Sequence, residues 1–342
     1  MAELRYNPLL RDFTMVASNR QNRPQMPKEY CPFCPGSGKV PENYEVYQYD
    51  NDFPALSPTP PHPDDVATEL YRVADAYGKC EVILYSPNHH ATLPQLPVSH
   101  IRKVVDLWAE RFLALSQDVN HKYIFIFENR GPEVGVTMPH PHGQIYAYPY
   151  IPQKIRVELD ASEQHHRETG HCLICDINHE EQSFAQRMLV ETEFFVSYVP
   201  FFTDYPYGAF IVSKLHKSNI LQFTSEERDD LAKILKLVTA GMDALFDREF
   251  PYMMVMHQSP VNQATPNTVA LLPGETERYA TTEDTYHFHI EFYPPLRAGD
   301  KVKYLASSES GAWAPCNPLT VEDTAAQLRQ AILARKAALG IE

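Results

Sequence analysis

Residues 138–150 read MPHPHGQIYAYPY and place two histidines and a glutamine at alternate positions. Alternate side chains of an extended strand point to one face, so His140, His142 and Gln144 would lie side by side. Pro141 fits the beginning, edge or bulge of a strand. Because an imidazole can act as a nucleophile or a metal ligand near neutral pH, the pattern predicts a chemical site at a sheet margin. A solvent-facing strand with two incidental histidines is the alternative.

Four of the six cysteines form two CxxC pairs, and each pair precedes a lone histidine and an HxH motif. Two thiolates and two imidazoles make a tetrahedral set that suits zinc. The two predicted sets are Cys31, Cys34, His89 and His140 in the first half, and Cys172, Cys175, His216 and His287 in the second. Both would be closed, structural sites. A redox pair or two ordinary cysteines is the alternative for each CxxC, and His90 is the alternative to His89.

If a metal ion holds His140, its strand is rigid and His142 is aimed from a fixed position. The elements that must provide this rigidity occur twice along the chain. The first half has strands at 81–86 and 123–129 around a helix at about 99–117, with Ser99 as a possible cap.

The second half repeats the series. A helix begins near Thr224, which has capping-box spacing with Glu227, and strand-like segments follow at 252–258 and 287–295. A further helix is expected at about 320–337. This self-similarity indicates an ancient duplication.

Composition limits the classes of function. The chain has 342 residues, with 44 acidic and 30 basic side chains and a formal charge of −14, which argues against nucleic-acid binding and against an anionic membrane surface. A signal-peptide pattern and an apolar run of about 18 residues are both missing from the sequence. We therefore expect a cytoplasmic protein, and a phosphate-bearing ligand would need a local basic cluster.

The segment FENRGPEVGVTMPHPHGQIYA resembles the active-site segment of galactose-1-phosphate uridylyltransferases, a branch of the histidine-triad superfamily. Other similar segments occur in the family's order, namely VASNRQNRP, CPFC, YDNDFPALSP, SPNHHATLPQL, VSYVPFFTDYP and HFHIEFYPPL. The resemblance implies an α+β fold of duplicated histidine-triad-like units, with a mostly antiparallel half-barrel sheet flanked by helices. Residues 1–165 would carry the HPHGQ nucleophile and residues 166–342 the second metal site.

The resemblance also implies an activity. The enzyme would exchange UMP between UDP-glucose and galactose 1-phosphate, or another hexose 1-phosphate, by a ping-pong mechanism in galactose metabolism (the Leloir pathway), with UDP-galactose as product. His142 would be the nucleophile, and Gln144 would hydrogen-bond the transferred phosphoryl group. Alternatives are a nucleotide-sugar phosphorylase or an adenylyltransferase of the same superfamily, a hydrolase, and a non-catalytic zinc-binding scaffold.

Further residues match substrate contacts of the family. They are Asn51, Asp52 and Phe53 for the nucleoside, Asn129, Gly135 and Thr137 for the phosphates, and Lys303 and Glu309 for the sugar phosphate. Arg20 and Arg23 match basic residues that reach the neighbouring subunit's site, which implies a homodimer with sites completed in trans. An ordinary turn at Asn51–Asp52 and a solvated surface at the two arginines are the alternatives.

Two features bear on the metals. Some relatives build their second metal site from residues that match Glu158 and His257 and from two histidines on the HxH strand. Here His289 is present, but Glu291 stands where the other histidine would be. Because the chain also has the second CxxC pair, we favour two Zn²⁺ ions in Cys₂His₂ sets, with iron as an alternative at the second, and leave open a role for Glu158, His257 and His289.

Overall fold

The computed structural model describes residues 2–22, 30–265, 269, 279 and 282–341. The helices within these residues are α1 (Val98–Ser116), α2 (Gln153–Thr169), α3 (Leu173–Phe184), α4 (Ser225–Leu245), α5 (Ser307–Ala312) and α6 (Val321–Leu339). The strands are β1 (Ala2–Asn7), β2 (Asp12–Ala17), β3 (Tyr47–Asp50), β4 (Val73–Asp75), β5 (Lys79–Leu84), β6 (Tyr123–Arg130), β7 (His142–Tyr148), β8 (Met188–Glu191), β9 (Phe195–Tyr198), β10 (Ala209–Ser213), β11 (Tyr252–His257), β12 (His289–Tyr293), β13 (Leu296–Ala298) and β14 (Lys301–Val302).

Nine strands form one open antiparallel sheet in the order β3-β5-β7-β6-β11-β12-β10-β9-β8. The pairing of β6 with β11 joins the two halves. Outward from this pair, β7, β5 and β3 on one side are matched by β12, β10 and β9 on the other. The expected α+β fold, with a mostly antiparallel sheet flanked by helices, is therefore confirmed. The proposed division between residues 165 and 166 lies within α2 and stays a prediction.

Helices α1, α4 and α6 cover one face of this sheet. The predicted apolar stripe of α1 is buried, at Ile101, Val104, Val105, Trp108, Phe112 and Leu115. The predicted capping box of α4 is present, because Thr224 Oγ1 accepts from Glu227 N at 3.2 Å and Glu227 Oε2 accepts from Thr224 N at 2.7 Å. Ser99 does not cap α1, since the helix already begins after Pro97.

The opposite face carries the polar strand residues. Ile145 packs in the core beneath the helices, so alternation along β7 places His142, Gln144 and Tyr146 on the other face. The small sheet β2-β1-β4 packs against part of that face, and α2 packs against another part, near Tyr123. Within the described part of the chain, no helix combines the length and apolarity needed to cross a membrane.

Candidate active site and metal clusters

His142 is the first residue of β7, so Pro141 precedes the strand and His140 lies outside it, whereas the expected strand included His140, His142 and Gln144. The His142 ring is half-buried, and Nδ1 lies 2.7 Å from the carbonyl oxygen of His140. A carbonyl oxygen can only accept, so Nδ1 carries the proton and Nε2 carries the lone pair of the neutral ring. The backbone two residues upstream therefore selects the tautomer in which Nε2 is the nucleophilic atom.

His142 lines a cavity of about 70 Å³, which we name the nucleoside pocket after the ligand expected at Asn51, Asp52 and Phe53. Its lining residues are Pro32, Phe33, Tyr49, Asn51, Asp52, Phe53, Val82, Met138, His142 and Gln144. Asn51 Oδ1 accepts from Phe53 N at 2.9 Å, so this segment is indeed a turn, but the turn forms the wall of the pocket. Gln144 is buried, and its Oε1 has no hydrogen-bond partner among the described residues.

His142 also lines a second cavity of about 230 Å³, which we name the phosphate cleft after the ligand expected at Asn129, Gly135 and Thr137. Asn129 lines it, whereas Gly135 and Thr137 belong to the adjoining loop between β6 and β7 and do not. Gly135 has a φ of +78°, which glycine adopts at little cost. Thr137 Oγ1 is buried without a hydrogen-bond partner in the described part of the chain. The expected phosphate-side residues are thus near one another, but only Asn129 reaches the cleft wall.

The structure describes only one of the two predicted basic residues, Arg20. Arg20 Nη1 donates to Tyr146 Oη of the same chain at 2.9 Å, two positions beyond Gln144 on β7. Arg23 lies outside the described residues. The structure therefore brings Arg20 to the strand that carries His142 within one chain.

Lys303 and Glu309 lie in the second half, and neither lines a cavity that contains His142. Lys303 is buried, with Nζ donating to the Asp204 carbonyl oxygen at 2.6 Å above the Tyr205 ring. Glu309 Oε2 accepts from Ala306 N at 3.1 Å, at the start of α5. Among the described residues, these two therefore do not line the nucleoside pocket or the phosphate cleft of their own chain.

The first predicted metal set assembles in space, with one potential ligand atom from each of Cys31, Cys34, His89 and His140 within 4.8 Å of the others. Cys34 Sγ lies 3.4 Å from His89 Nδ1 and 3.7 Å from His140 Nδ1. The far nitrogen of His140, Nε2, donates to the Ser86 carbonyl oxygen at 2.8 Å and lies 3.0 Å from the Tyr44 hydroxyl. Such outer contacts orient an imidazole so that its lone pair faces a metal ion.

The second predicted set assembles in the same way, from Cys172, Cys175, His216 and His287. Cys175 Sγ lies 3.4 Å from His287 Nδ1 and 3.9 Å from His216 Nδ1. His287 Nε2 donates to the Ser213 carbonyl oxygen at 3.0 Å, and His216 Nε2 to that of Glu283 at 2.9 Å. Both sets present the same nitrogen to the sulfurs.

The donor chemistry of both sets fits a metal ion. Burial lowers the pKa of His140 to about 4, so its ring is neutral at pH 7 and can act as a ligand. Burial also raises the pKa of Cys31 to about 11, so the thiolate needs a positive partner such as a metal ion. Two sulfurs and two imidazole nitrogens form a closed set of the kind that holds structural zinc.

The comparisons with known proteins agree with this site. Residues 2–152 match the family model for the N-terminal domain of galactose-1-phosphate uridyl transferase, and residues 158–306 match the model for its C-terminal domain. The galactose-1-phosphate uridylyltransferase of Thermotoga maritima is 42% identical over 96% of this chain and 98% of its own length. The chain belongs to the galactose-1-phosphate uridylyltransferase family.

Solved structures place this family member among similar folds. A uridylyltransferase structure with 31% sequence identity covers 97% of this chain and 99% of its own, with a TM-score of 0.84. The ADP-glucose phosphorylase of Arabidopsis thaliana, at 24% identity and a TM-score of 0.72, covers 96% of this chain and 98% of its own. The second likeness concerns the fold alone.

The structure of this family member also shows residues that the sequence did not point to. Tyr44 and the Ser86 carbonyl hold the far side of His140, and Glu128 lines the phosphate cleft. Tyr44 lies 96 positions from His140, so no local spacing joins them. For Glu128, the signal is a carboxylate within an otherwise apolar strand pattern, YIFIFEN.

A third cluster contains Glu158, His257 and His289, whose potential ligand atoms lie within 4.8 Å of one another. His257 Nδ1 lies 2.9 Å from Glu158 Oε2, and His289 Nε2 lies 3.3 Å from Glu291 Oε1. This cluster is separate from the Cys172 set, although His289 is only two residues from His287. The described residues therefore form three separate clusters of potential metal ligands, namely the two sets expected from the sequence and this third one.

Proposed function

We propose that this enzyme moves a UMP group between UDP-glucose and galactose 1-phosphate, or another hexose 1-phosphate, through a covalent bond to His142. The observation that carries the proposal is that His142 lines both the nucleoside pocket and the phosphate cleft, with its Nδ1 hydrogen-bonded to the His140 carbonyl. The family membership supports the substrate class, because the named relatives are galactose-1-phosphate uridylyltransferases.

In the first step, Nε2 of His142 attacks the α-phosphorus of UDP-glucose. The N–P bond forms as the bond from this phosphorus to the bridging oxygen breaks, and glucose 1-phosphate leaves with that electron pair. The positive charge that develops on the ring is stabilised by the Nδ1–H donation to His140, at 2.7 Å in the resting enzyme. No proton has to move in this step.

In the second step, a phosphate oxygen of galactose 1-phosphate attacks the same phosphorus. The N–P bond breaks, its electrons return to Nε2, and UDP-galactose is released. Both steps use one histidine in turn, so the kinetics should be ping-pong. A fixed imidazole lowers the cost of reaching the in-line geometry each time.

The remaining pocket residues receive proposed roles in binding. Asn51, Asp52 and Phe53 would hold the nucleoside, and the Gln144 side chain would meet the transferred phosphoryl group. Asn129, Gly135 and Thr137 would form the phosphate side of the site, Gly135 and Thr137 as parts of the loop behind the cleft. The buried Gln144 and Thr137 oxygens support this assignment, since a ligand could satisfy atoms that lack protein partners.

The two Cys₂His₂ sets would each hold one metal ion, with zinc favoured at both and iron as the alternative at the second. The metal would supply rigidity rather than a chemical step. In the first set it would fix His140, whose carbonyl oxygen orients His142. Thiolate ligands need reducing conditions, which agrees with a cytoplasmic location.

We further propose a homodimer in which Arg23, Lys303 and Glu309 complete the partner's site, whereas Arg20, which donates to Tyr146 of its own chain, serves the site of that chain. Lys303 and Glu309 support this, because they line neither cavity of their own chain that contains His142. Mixing His142→Ala chains with Lys303→Ala chains should restore activity, since the mixed dimer contains one intact site. No recovery after proven subunit exchange would place these residues in cis.

The proposed transfer is tested with radiolabelled glucose 1-phosphate and unlabelled UDP-glucose, with no galactose 1-phosphate present. Ping-pong chemistry predicts that label enters UDP-glucose, because the uridylyl enzyme accepts either hexose 1-phosphate. Parallel reactions with ADP-glucose, with inorganic phosphate and with water alone distinguish adenylyl transfer, phosphorolysis and hydrolysis. Absence of exchange in active enzyme would exclude the covalent route.

A further inference from the structure

The second half contains a histidine with the geometry of His142. His289 Nδ1 lies 2.9 Å from the His287 carbonyl oxygen, as His142 Nδ1 lies 2.7 Å from that of His140. Both histidines lie at the beginning of matching strands, β12 and β7. The next residue on the same face differs, because Gln144 in the first half is replaced by Glu291 in the second.

A lysine enters the cluster formed around His289. Lys154 Nζ lies 2.7 Å from Glu291 Oε2 and 3.7 Å from Glu158 Oε1, so one ammonium group contacts both carboxylates. The opposite oxygens of the same carboxylates, Glu158 Oε2 and Glu291 Oε1, face His257 and His289. Two carboxylates and two imidazoles thus surround one position, and the Lys154 ammonium group lies next to it.

Electrostatics require a cation here. Glu291 is 4% exposed and both histidines are 2% exposed, so charge on the carboxylates is poorly solvated. The Lys154 side chain is 57% exposed, so water as well as the two carboxylates stabilises its ammonium group. The lysine therefore stays charged at neutral pH and compensates the carboxylates.

We propose that the ammonium group of Lys154 supplies the positive charge that a divalent metal ion would otherwise supply to the Glu158–His257–His289–Glu291 cluster. The two imidazoles and two carboxylates are a donor set that divalent transition metals accept. A metal ion bound among them would be repelled by the neighbouring ammonium. The cluster is consequently an ion-pair network in the native chain, with its lysine at the surface and Glu291 and both histidines buried, and removal of Lys154 turns it into a metal site.

The surroundings of His289 in the second half therefore do not suit the chemistry proposed for His142 in the first half. Lys154, Glu158, Asp204 and Glu291 line a cavity of about 240 Å³ beside His289. Three acidic side chains in this wall oppose a nucleotide phosphate, whereas Gln144 at the matching position in the first half is neutral. The inference does not depend on the proposed uridylyl transfer.

The test is equilibrium dialysis of the purified holoprotein against Co²⁺, with metal content per chain measured by elemental analysis. Lys154→Met should bind one more Co²⁺ per chain than the wild type, with an affinity at least about a hundredfold higher at this site, because a repelling unit charge has been removed. Lys154→Arg keeps the charge and should bind no extra ion. Adding Glu158→Gln to Lys154→Met should abolish the gain.

Lys79→Met is the matched control, because Lys79 pairs with Asp50 at 2.8 Å without a histidine cluster, and it should not gain an ion. Lys154→Gln is the second variant if Lys154→Met does not fold. A wild-type chain that already holds an ion lost on Glu158→Gln would overturn the proposal. So would a folded Lys154→Met or Lys154→Gln protein that binds no additional Co²⁺.

Discussion

Replacing Glu128 by glutamine should make the protein more stable at pH 8 than the wild type. Glu128 is 5% exposed, lies opposite Met254 in the β6–β11 pairing, and accepts a hydrogen bond from the Tyr252 hydroxyl at 3.2 Å. Burial raises its pKa to about 7, although Arg130 and the Tyr252 hydroxyl act in the opposite direction. A glutamine side chain has nearly the same shape and keeps an oxygen for Tyr252, but it cannot ionise.

The size of this stability difference follows from the pKa of Glu128 in the folded and in the unfolded protein. A carboxyl group whose pKa rises from its ordinary 4.5 to about 7 on folding costs about 3 kcal/mol of stability once it ionises. The wild type therefore keeps its full stability below pH 4.5, where Glu128 is protonated in both the folded and the unfolded state. It loses up to this amount of stability as the pH rises through 7. Glu128→Gln should therefore match the wild type near pH 4.5 and exceed its free energy of unfolding by up to about 3 kcal/mol at pH 8.

The assay is urea unfolding of both proteins between pH 5 and pH 8, with the difference in free energy of unfolding plotted against pH. Glu81→Gln is the control, because Glu81 is buried and pairs with both Arg111 Nε and Nη2, at 2.9 Å and 2.8 Å. Loss of that buried pair should destabilise the protein across the whole pH range. A Glu128→Gln difference that does not change with pH, or a less stable variant at pH 8, would refute the reasoning.

Three further changes test other parts of the account. Replacing Cys172 and Cys175 together by serine should remove one metal ion per chain in elemental analysis and lower the melting temperature, and unchanged metal content would exclude the second set. Thr224→Ala removes the cap of α4 and should cost about 1 kcal/mol in urea unfolding, whereas no loss would show that the capping box is energetically unimportant. Gly143→Ala would place a Cβ 2.3 Å from the Tyr85 hydroxyl, so the strand that carries His142 must shift. The kcat of this variant should fall while its metal content stays unchanged, and full activity would contradict the expectation.

Much of this architecture could be predicted from local patterns. Helices α1 and α4 have clear apolar stripes, and the HxH and CxxC spacings are short enough to read along the chain. The duplication then allowed ligands far apart in sequence to be grouped correctly, and all eight predicted Cys and His ligands fall in the two sets. These inferences succeeded because each rests on a spacing or on a repeat.

The remaining features depend on contacts between distant residues. Helix α2 was not predicted, since it buries only Ile155, Leu159 and Ser162 and is mostly polar elsewhere. The contact of Lys154 with Glu291 spans 137 positions, whereas the matching Gln144 Oε1 has no hydrogen-bond partner among the described residues. The pairing of β6 with β11 likewise follows from the assembly of the two halves rather than from either strand's own sequence.

The most direct test of the central claim is to incubate the enzyme with UDP-glucose alone and locate the added mass by peptide mass spectrometry. The account predicts a UMP group on the peptide containing His142, released glucose 1-phosphate, and loss of both in His142→Ala, with turnover reduced by at least about 10⁴-fold. His289→Ala, at the matching position of the second half, should still become labelled. Label on another residue, or none in a single-turnover experiment with active enzyme, would contradict the claim.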